Sequence, residues 1–277
     1  GSNLVGGGGG DNPSPTGSYS VDMDGTGDYL TVGDSSDFYM GTGDFTIECW
    51  ARFTNTNNVG LWQVEGLTTN YTTTLSFAHN GSNWHGYRGG STWDYGGGRS
   101  TNQWYHCAYV RHSGTCTIYV DGSSIGSWSD SYNYTGTTLV IGGYYTTSYL
   151  HDGNISNFRV VKGQALYTSN FTPTDQPLTT TSQGANSSNV KLLCCNKSSV
   201  TDKDVGPSIS VGTGSPGSSS EHPFGAAAPG VQVLACTGDN NYEKDLVNAR
   251  VWSGPNCMPS VLGPGSPTAE SANKGLR

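Results

Sequence analysis

The stretch from Leu139 to Pro173, LVIGGYYTTSYLHDGNISNFRVVKGQALYTSNFTP, constrains the fold more than any other part of the chain. It reads as a strand, a turn, a second strand and an exit segment. Leu139, Val140 and Ile141 stop at Gly142-Gly143, and Ile155, Phe158, Val160 and Val161 stop at Lys162-Gly163. β-Branched and aromatic residues suit a pleated, half-buried surface, and Gly and Asn bound them where the chain must turn.

The rest of the chain obeys the same rules. With 41 Gly, 16 Tyr and only 12% charged residues, helix formers are scarce and turn formers are frequent. Alternation is visible in Thr117-Ile118-Tyr119-Val120 and in Thr72-Thr73-Thr74-Leu75-Ser76-Phe77, as expected of strands with one wet face. Ser113-Gly114 closes a hairpin, because Gly takes positive φ freely. The residues from about 18 to 180 suffice for one two-sheet sandwich.

Five blocks occur in a fixed order. They are Ser20 to Val32 (SVDMDGTGDYLTV), Asp44 to Phe53 (DFTIECWARF), Gln103 to Arg111 (QWYHCAYVR), Thr115 to Gly122 (TCTIYVDG) and the closing strand with its exit, GNISNFRVVKG followed by ALYTSNFTP. Over roughly Ser18 to Pro177 this series resembles the concanavalin A-like, laminin G-like jelly rolls. In particular it is similar to those of structural proteins from marine tailed phages such as cyanophages. The resemblance implies an all-β, two-sheet antiparallel sandwich. It also implies a virion component (capsid decoration, head fibre or tail fibre) whose partners are other virion proteins or copies of itself, on the surface of an extracellular particle.

The chain divides into a Gly-rich flexible arm at 1–17, the jelly roll at 18–180, a β-extension at 181–224, and a second small β-unit with an extended tail at 225–277. Starting at Gly rather than Met points to processing or to sequence lying upstream. Val190 to Cys195 with Asp202 to Val205 is echoed 41 residues later by Val231 to Cys236 with Glu243 to Leu246. Units this short bury too little surface alone and must dock on the sandwich, on each other or on another subunit.

The net charge is −8 and no lysine precedes Lys162, so phosphate neutralisation cannot drive nucleic-acid binding. No run approaches the ~20 apolar residues of a membrane span. The seven cysteines form no C-x-x-C pair. Cys49 and Cys107 fall in core strands as small hydrophobes, whereas Cys236 and Cys257 are candidates for a disulfide.

Catalysis finds no support. Glycosidases need two carboxylates flanking one bond, and the five glutamates, at 48, 65, 221, 243 and 270, are widely separated. His106 reads as a cross-strand packing residue, and no nucleophile motif is present. The expectation is a protein that is not an enzyme. Binding is better supported: Trp84, Tyr87, Trp93, Tyr95, Tyr144 and Tyr145 lie among Asn, Asp and Ser, the mixture that sugar recognition uses. Such rings also fill sandwich cores and subunit contacts. The family resemblance further implies a calcium site at Asp22, Asp24, Asp28 and Asp152, although Ser156-Asn157 stand where relatives often carry an acid. The same aspartates, beside glycines, also make turns.

Together these features describe a non-enzymatic virion protein with jelly-roll loops open to host-surface glycans. The alternative is an extracellular carbohydrate-binding module of a larger secreted protein.

Overall fold

The computed structural model describes residues 17–67, 75–88 and 91–224, together with the backbone of 244–245 and 250–251. Residues 13–225 belong to one compact unit. In it, β1 (Ser20–Asp24) and β2 (Leu30–Val32) open the chain, followed by β3 (Phe45–Phe53), β4 (Asn58–Val64) and β5 (Leu75–Asn80). Then come β6 (Asn83–Arg88), β7 (Ser91–Gly96), β8 (Trp104–His112), β9 (Thr115–Val120) and β10 (Ser123–Ser129). After β11 (Leu139–Ile141), the short β12 (Gly143–Tyr144) and β13 (Thr146–Leu150) precede the long β14 (Asp152–Lys162). β15 (Val190–Cys194), β16 (Lys203–Val205), β17 (Ile209–Val211) and β18 (Gly217–Ser219) complete the unit.

Two antiparallel sheets form the sandwich. The first runs β10-β9-β8-β3-β14-β1-β18, with β15 and β16 continuing from β14, and the second runs β17-β2-β11-β4-β5-β6-β7. Phe45, Ile47, Cys49 and Phe53 of β3 alternate inward and meet Trp62, Leu75 and Phe77 from the second sheet in one core. Cys49 and Cys107 are cross-strand partners, both fully buried free thiols, as small core hydrophobes should be. The hairpin at Ser113-Gly114 is present: His112 pairs with Thr115, and both loop residues have positive φ.

The extension does not stand apart from the jelly roll. β15 pairs with the second half of β14, β18 pairs with β1, and β17 pairs with β2, so residues after 180 lengthen both sheets. Of the proposed second unit at 225–277, only a short ladder of Lys244–Asp245 against Arg250–Val251 is described. The rest of the 41-residue echo, with Cys236 and Cys257, lies outside the described residues, as does most of the Gly-rich arm.

One irregularity in β14 decides which of its side chains reach the outer face. Ile155 and Phe158 both face the core although three residues apart, which strict alternation forbids. The register between β14 and β3 shifts between Ser156 and Arg159, and Asn157 sits at φ 52°. This is a bulge, built on a residue type that tolerates the left-handed region. It returns Phe158 and Val160 to the core and turns Arg159 to the outer face.

Candidate functional site

The two outer faces of the sandwich differ, and the first is closed. After β14, residues 163–189 form a strap across the outer face of the first sheet, where Tyr167, Leu166 and Phe171 pack on Ala108, Val110 and Tyr119. Leu178 and Ala185 do the same on Val161, Val190 and Leu193. Beneath the strap lies Glu48, with no solvent exposure. Its Oε1 accepts from Arg159 at 2.6 and 2.9 Å, and its Oε2 from Tyr167 Oη at 2.7 Å and His106 Nε2 at 3.0 Å. Burial opposes ionisation, but the Arg159 guanidinium with the His106 and Tyr167 hydrogen bonds holds the carboxyl down at about 2. Arg159 also donates to the carbonyls of Thr179 and Ser182, tying the strap down. Glu48 cannot reach a substrate, so it is excluded as a glycosidic acid or nucleophile.

The second face is covered over β4 and β5, where Gln63, Ser76, Ala78 and Val140 are buried, and is partly exposed along β6 and β7. Along β6 and β7 the register pairs Trp84 with Tyr95, His85 with Asp94, Gly86 with Trp93 and Tyr87 with Thr92. Period-two alternation therefore sends Trp84, Trp93 and Tyr95 to one side of the sheet and His85, Tyr87, Thr92 and Asp94 to the other. The first set faces inward. Trp84 is 2% exposed and meets Phe53, His79 and Tyr105 edge-on. Trp93 stacks on Trp128 at 4.5 Å, and Tyr95 donates to the Ser127 carbonyl. Trp84 belongs to the core, which corrects its reading as part of a sugar platform, while Trp93 and Tyr95 are half-buried at the core's rim against Trp128.

Tyr87 faces outward, and the structure brings Tyr144 and Tyr145 to it. The β12–β13 hairpin folds over the sheet at Gly60 of β4, where a Cβ would lie 2.4 Å from Gly143 C and Tyr144 N. Only glycine permits so close an approach. Tyr144 then donates to Asn58 Oδ1 at 3.2 Å and lies 6.0 Å from the His85 ring, which stacks with Tyr87 at 5.7 Å. Tyr145 holds φ at 63°, a strained value for a bulky residue, and its amide donates to Gln63 Oε1. Tyr149 stacks on Tyr145 at 5.9 Å and packs against Tyr144 at 5.2 Å. Burial pushes the Tyr87 and Tyr144 phenols above their ordinary range, so both keep their protons at neutral pH. At the rim, Asp94 Oδ1 accepts from His85 Nδ1 at 2.6 Å and from Asn80 Nδ2 at 3.2 Å. A carboxylate at that distance requires a proton on Nδ1. The result is a tyrosine sheet in which Tyr87, Tyr145 and Tyr149 are half-buried and Tyr144 is buried beneath them, edged by amides, an imidazole and one carboxylate. Its polar rim (Asn58, Asn80, Asp94) carries no motif; the alternation within NWHGYR and STWDYG is the signal that marks it.

The four aspartates of the expected calcium site share one corner, where β1 pairs Asp24 with Asp152 and Asp22 with Asn154. They do not fit the ion. Asp24 caps the amide of Thr26, Asp28 accepts from the amides of Asp24 and Ser215, and Asp22 accepts from Asn154. Asp152 is engaged by Thr54 and Asn55. Among the described residues no three His, Cys, Asp or Glu side chains group as metal ligands. Asn157, one of the pair that stands in place of the acid the family resemblance implies, accepts from the Leu178 amide and donates to the Gly17 carbonyl. These residues are turn and strap anchors.

Sequence and fold both connect the chain to known proteins. The family model for the concanavalin A-like lectin/glucanases superfamily, laminin G type, matches residues 24–167, and the chain belongs to that superfamily. No curated protein matches it by sequence. Among solved structures it is similar to a Bacteroides ovatus protein proposed to bind carbohydrate, at 15% identity and a TM-score of 0.52, over 76% of this chain and 61% of that one. A heptameric SAP-like pentraxin of Limulus polyphemus matches at 15% identity and a TM-score of 0.45, over 70% of this chain and 94% of that one. The chain thus spans about 61% of the length of the Bacteroides protein.

Proposed function

We propose that this protein is a non-catalytic glycan-binding sandwich whose ligand face is the tyrosine sheet formed by Tyr87, Tyr144, Tyr145 and Tyr149. The carrying observation is the asymmetry of the two outer faces: the first is sealed by its own strap, while the second, covered over β4 and β5, keeps the half-buried rings of Tyr87, Tyr145 and Tyr149 beside the exposed Asp94. Aromatic faces cover the apolar side of a sugar ring while amides and carboxylates fix its hydroxyls. The fold shared with a protein proposed to bind carbohydrate points the same way. Hydrolysis is not part of the proposal, because the cluster contains one acid, Asp94, and glycosidic cleavage uses two.

The finer reading is that the sandwich is carried on the particle of a marine tailed phage as a decoration or fibre protein. It rests on the motif order from Ser20 to Pro173. The same face would serve a carbohydrate-binding module of a secreted protein, but the ISNFR and ALYTSNFTP wording favours the particle.

The test has two arms. On a glycan array the intact protein should bind and Tyr149→Ala should lose the signal with its melting temperature preserved; equal binding by both would sink the site. A mass-spectrometric inventory of purified particles should contain the chain, and its absence would leave the secreted-module reading.

A further inference from the structure

We infer that the tyrosine face selects neutral, hydroxyl-rich glycans and rejects anionic ones, with Asp94 as the acceptor that orients them. This rests on the glycan-binding reading above and narrows its ligand class.

Recognition of a sialic acid, a uronate or a sulfated sugar calls for a cation, most often an arginine whose planar fork meets the anion in two hydrogen bonds. The chain has four arginines before Arg159 and no lysine before Lys162. Each arginine is committed elsewhere. Arg52 donates to Asn154 on the first sheet. Arg88 turns to the inner side of β6, ion-paired to Asp130 at 2.8 Å beside the Trp93 ring. Arg99 is buried over Phe53 and donates to the carbonyls of Asn55 and Asn57. Arg111 is buried and donates to the carbonyls of Gly41, Asp130 and Tyr132. Residues 68–74 and 89–90, next to β5 and β6 in sequence, contain no Lys or Arg. Among the described residues, Lys162, Lys191 and Lys197 bond to Ser36, Ser188 and Asp204. Lys203 lies on β16, an extension of the opposite sheet.

The charge that the face does carry is negative. The Asp94 side chain is 47% exposed, and only its Oδ1 is engaged by His85 and Asn80. Oδ2 is left to accept from vicinal sugar hydroxyls, and the two bonds to Oδ1 hold the carboxylate in place for it. Among the described residues no Lys or Arg stands at this site to offset a second anion; the side chains of Lys244, Arg250, Lys274 and Arg277 lie outside the described residues. Tyr144 Oη, the Asn58 and Asn80 amides and the Thr92 hydroxyl supply further neutral donors and acceptors. The chemistry is that of a neutral hexose polymer or oligosaccharide.

The deciding experiment presents the intact chain with neutral probes (laminarin, agarose, N-acetyllactosamine) and anionic ones (alginate, sialyllactose, a sulfated galactan), with affinities measured at 50 and 500 mM NaCl. Binding should be confined to neutral probes and change less than about twofold with salt, since no ion pair is there to be screened. Asp94→Asn should weaken it about tenfold, the scale of losing a charged acceptor, at unchanged melting temperature. Binding confined to anionic probes and fading with salt would overturn the inference and leave the glycan reading standing. Full affinity in Asp94→Asn would overturn the role given to Asp94. No binding to any probe would remove both the inference and the reading beneath it.

Discussion

The outer faces of the two sheets are built from similar materials and covered to different extents. Both carry aromatic rings, a carboxylate and a histidine. On the first sheet, Glu48, His106, Arg159 and Tyr167 close on one another under residues 163–189 and exclude water. On the second, the His85 ring lies between Asp94 and the Tyr87 and Tyr144 rings, and the Asp94 side chain is 47% exposed. The four residues of the covered cluster come from blocks on which the family resemblance rests: Glu48 from DFTIECW, His106 from QWYHCAYVR, Arg159 from ISNFR and Tyr167 from ALYTSNF. The most recognisable wording in this chain is therefore architectural. The face proposed for binding is written in residues with no motif, as expected where ligands differ between members of one fold.

The largest expected effect tests the covered face. Glu48→Ala leaves Arg159 buried without its counter-charge and should cost about 3–5 kcal/mol in denaturant unfolding, with new proteolytic cleavage in 163–189. A loss under ~1 kcal/mol would break the contrast, because the network would then be incidental.

Acid should sharpen it. Burial lowers His151 from 6.5 to about 4, and burial with the nearby Arg99 lowers His79 likewise. Both rings contact Phe53, over which Arg99 lies at 4.2 Å. A histidine kept neutral by the fold contributes stability in full above pH 6.5 and loses it as pH falls toward 4, because the unfolded chain then binds the proton. For fully buried His151 this amounts to about 3 kcal/mol. Glu48, held at about 2, stays ionised throughout that window. Melting temperature should fall from pH 7 to 4.5, and His79→Gln with His151→Gln should flatten that slope. An unchanged slope would show that acid acts elsewhere.

Two smaller effects probe the second face. Gly60→Ala drives a methyl into the Gly143–Tyr144 backbone and should cost about 1–3 kcal/mol of stability. Glycan binding should fall further than that loss explains, because the hairpin is displaced. Tyr149→Ala should weaken ligand binding by about 1–2 kcal/mol, the scale of a planar ring stacking on an aromatic side chain, with little change in unfolding. Were Tyr149→Ala to unfold the protein instead, this ring would belong to the packing that holds the hairpin on its sheet.

The sandwich was legible in the sequence because strands declare themselves locally. Period-two alternation, β-branched runs and turn pairs such as Ser113-Gly114 act over a few residues, and each does in the structure what its chemistry requires. Nearby residues could even sort the aromatic candidates, since alternation along NWHGYR separates Trp84 from Tyr87. The aspartates of the opening turn were harder. Asp22, Asp24, Asp28 and Asp152 do converge, but convergence alone cannot reveal that backbone amides and neighbouring side chains already occupy their oxygens.

What the amino-acid sequence determined alone was the class of fold, the order of its strands and the absence of cations from its first 158 residues apart from four arginines. Tertiary structure decided which face is closed. The strap crosses its sheet because a bulge at Asn157, a single left-handed residue, turns Arg159 outward to meet Glu48, which lies 111 residues earlier in the chain. The second face likewise depends on Gly60 admitting a hairpin that begins at Gly143. Both outcomes hang on contacts between residues far apart in sequence, where a local pattern carries no information about which partner will arrive.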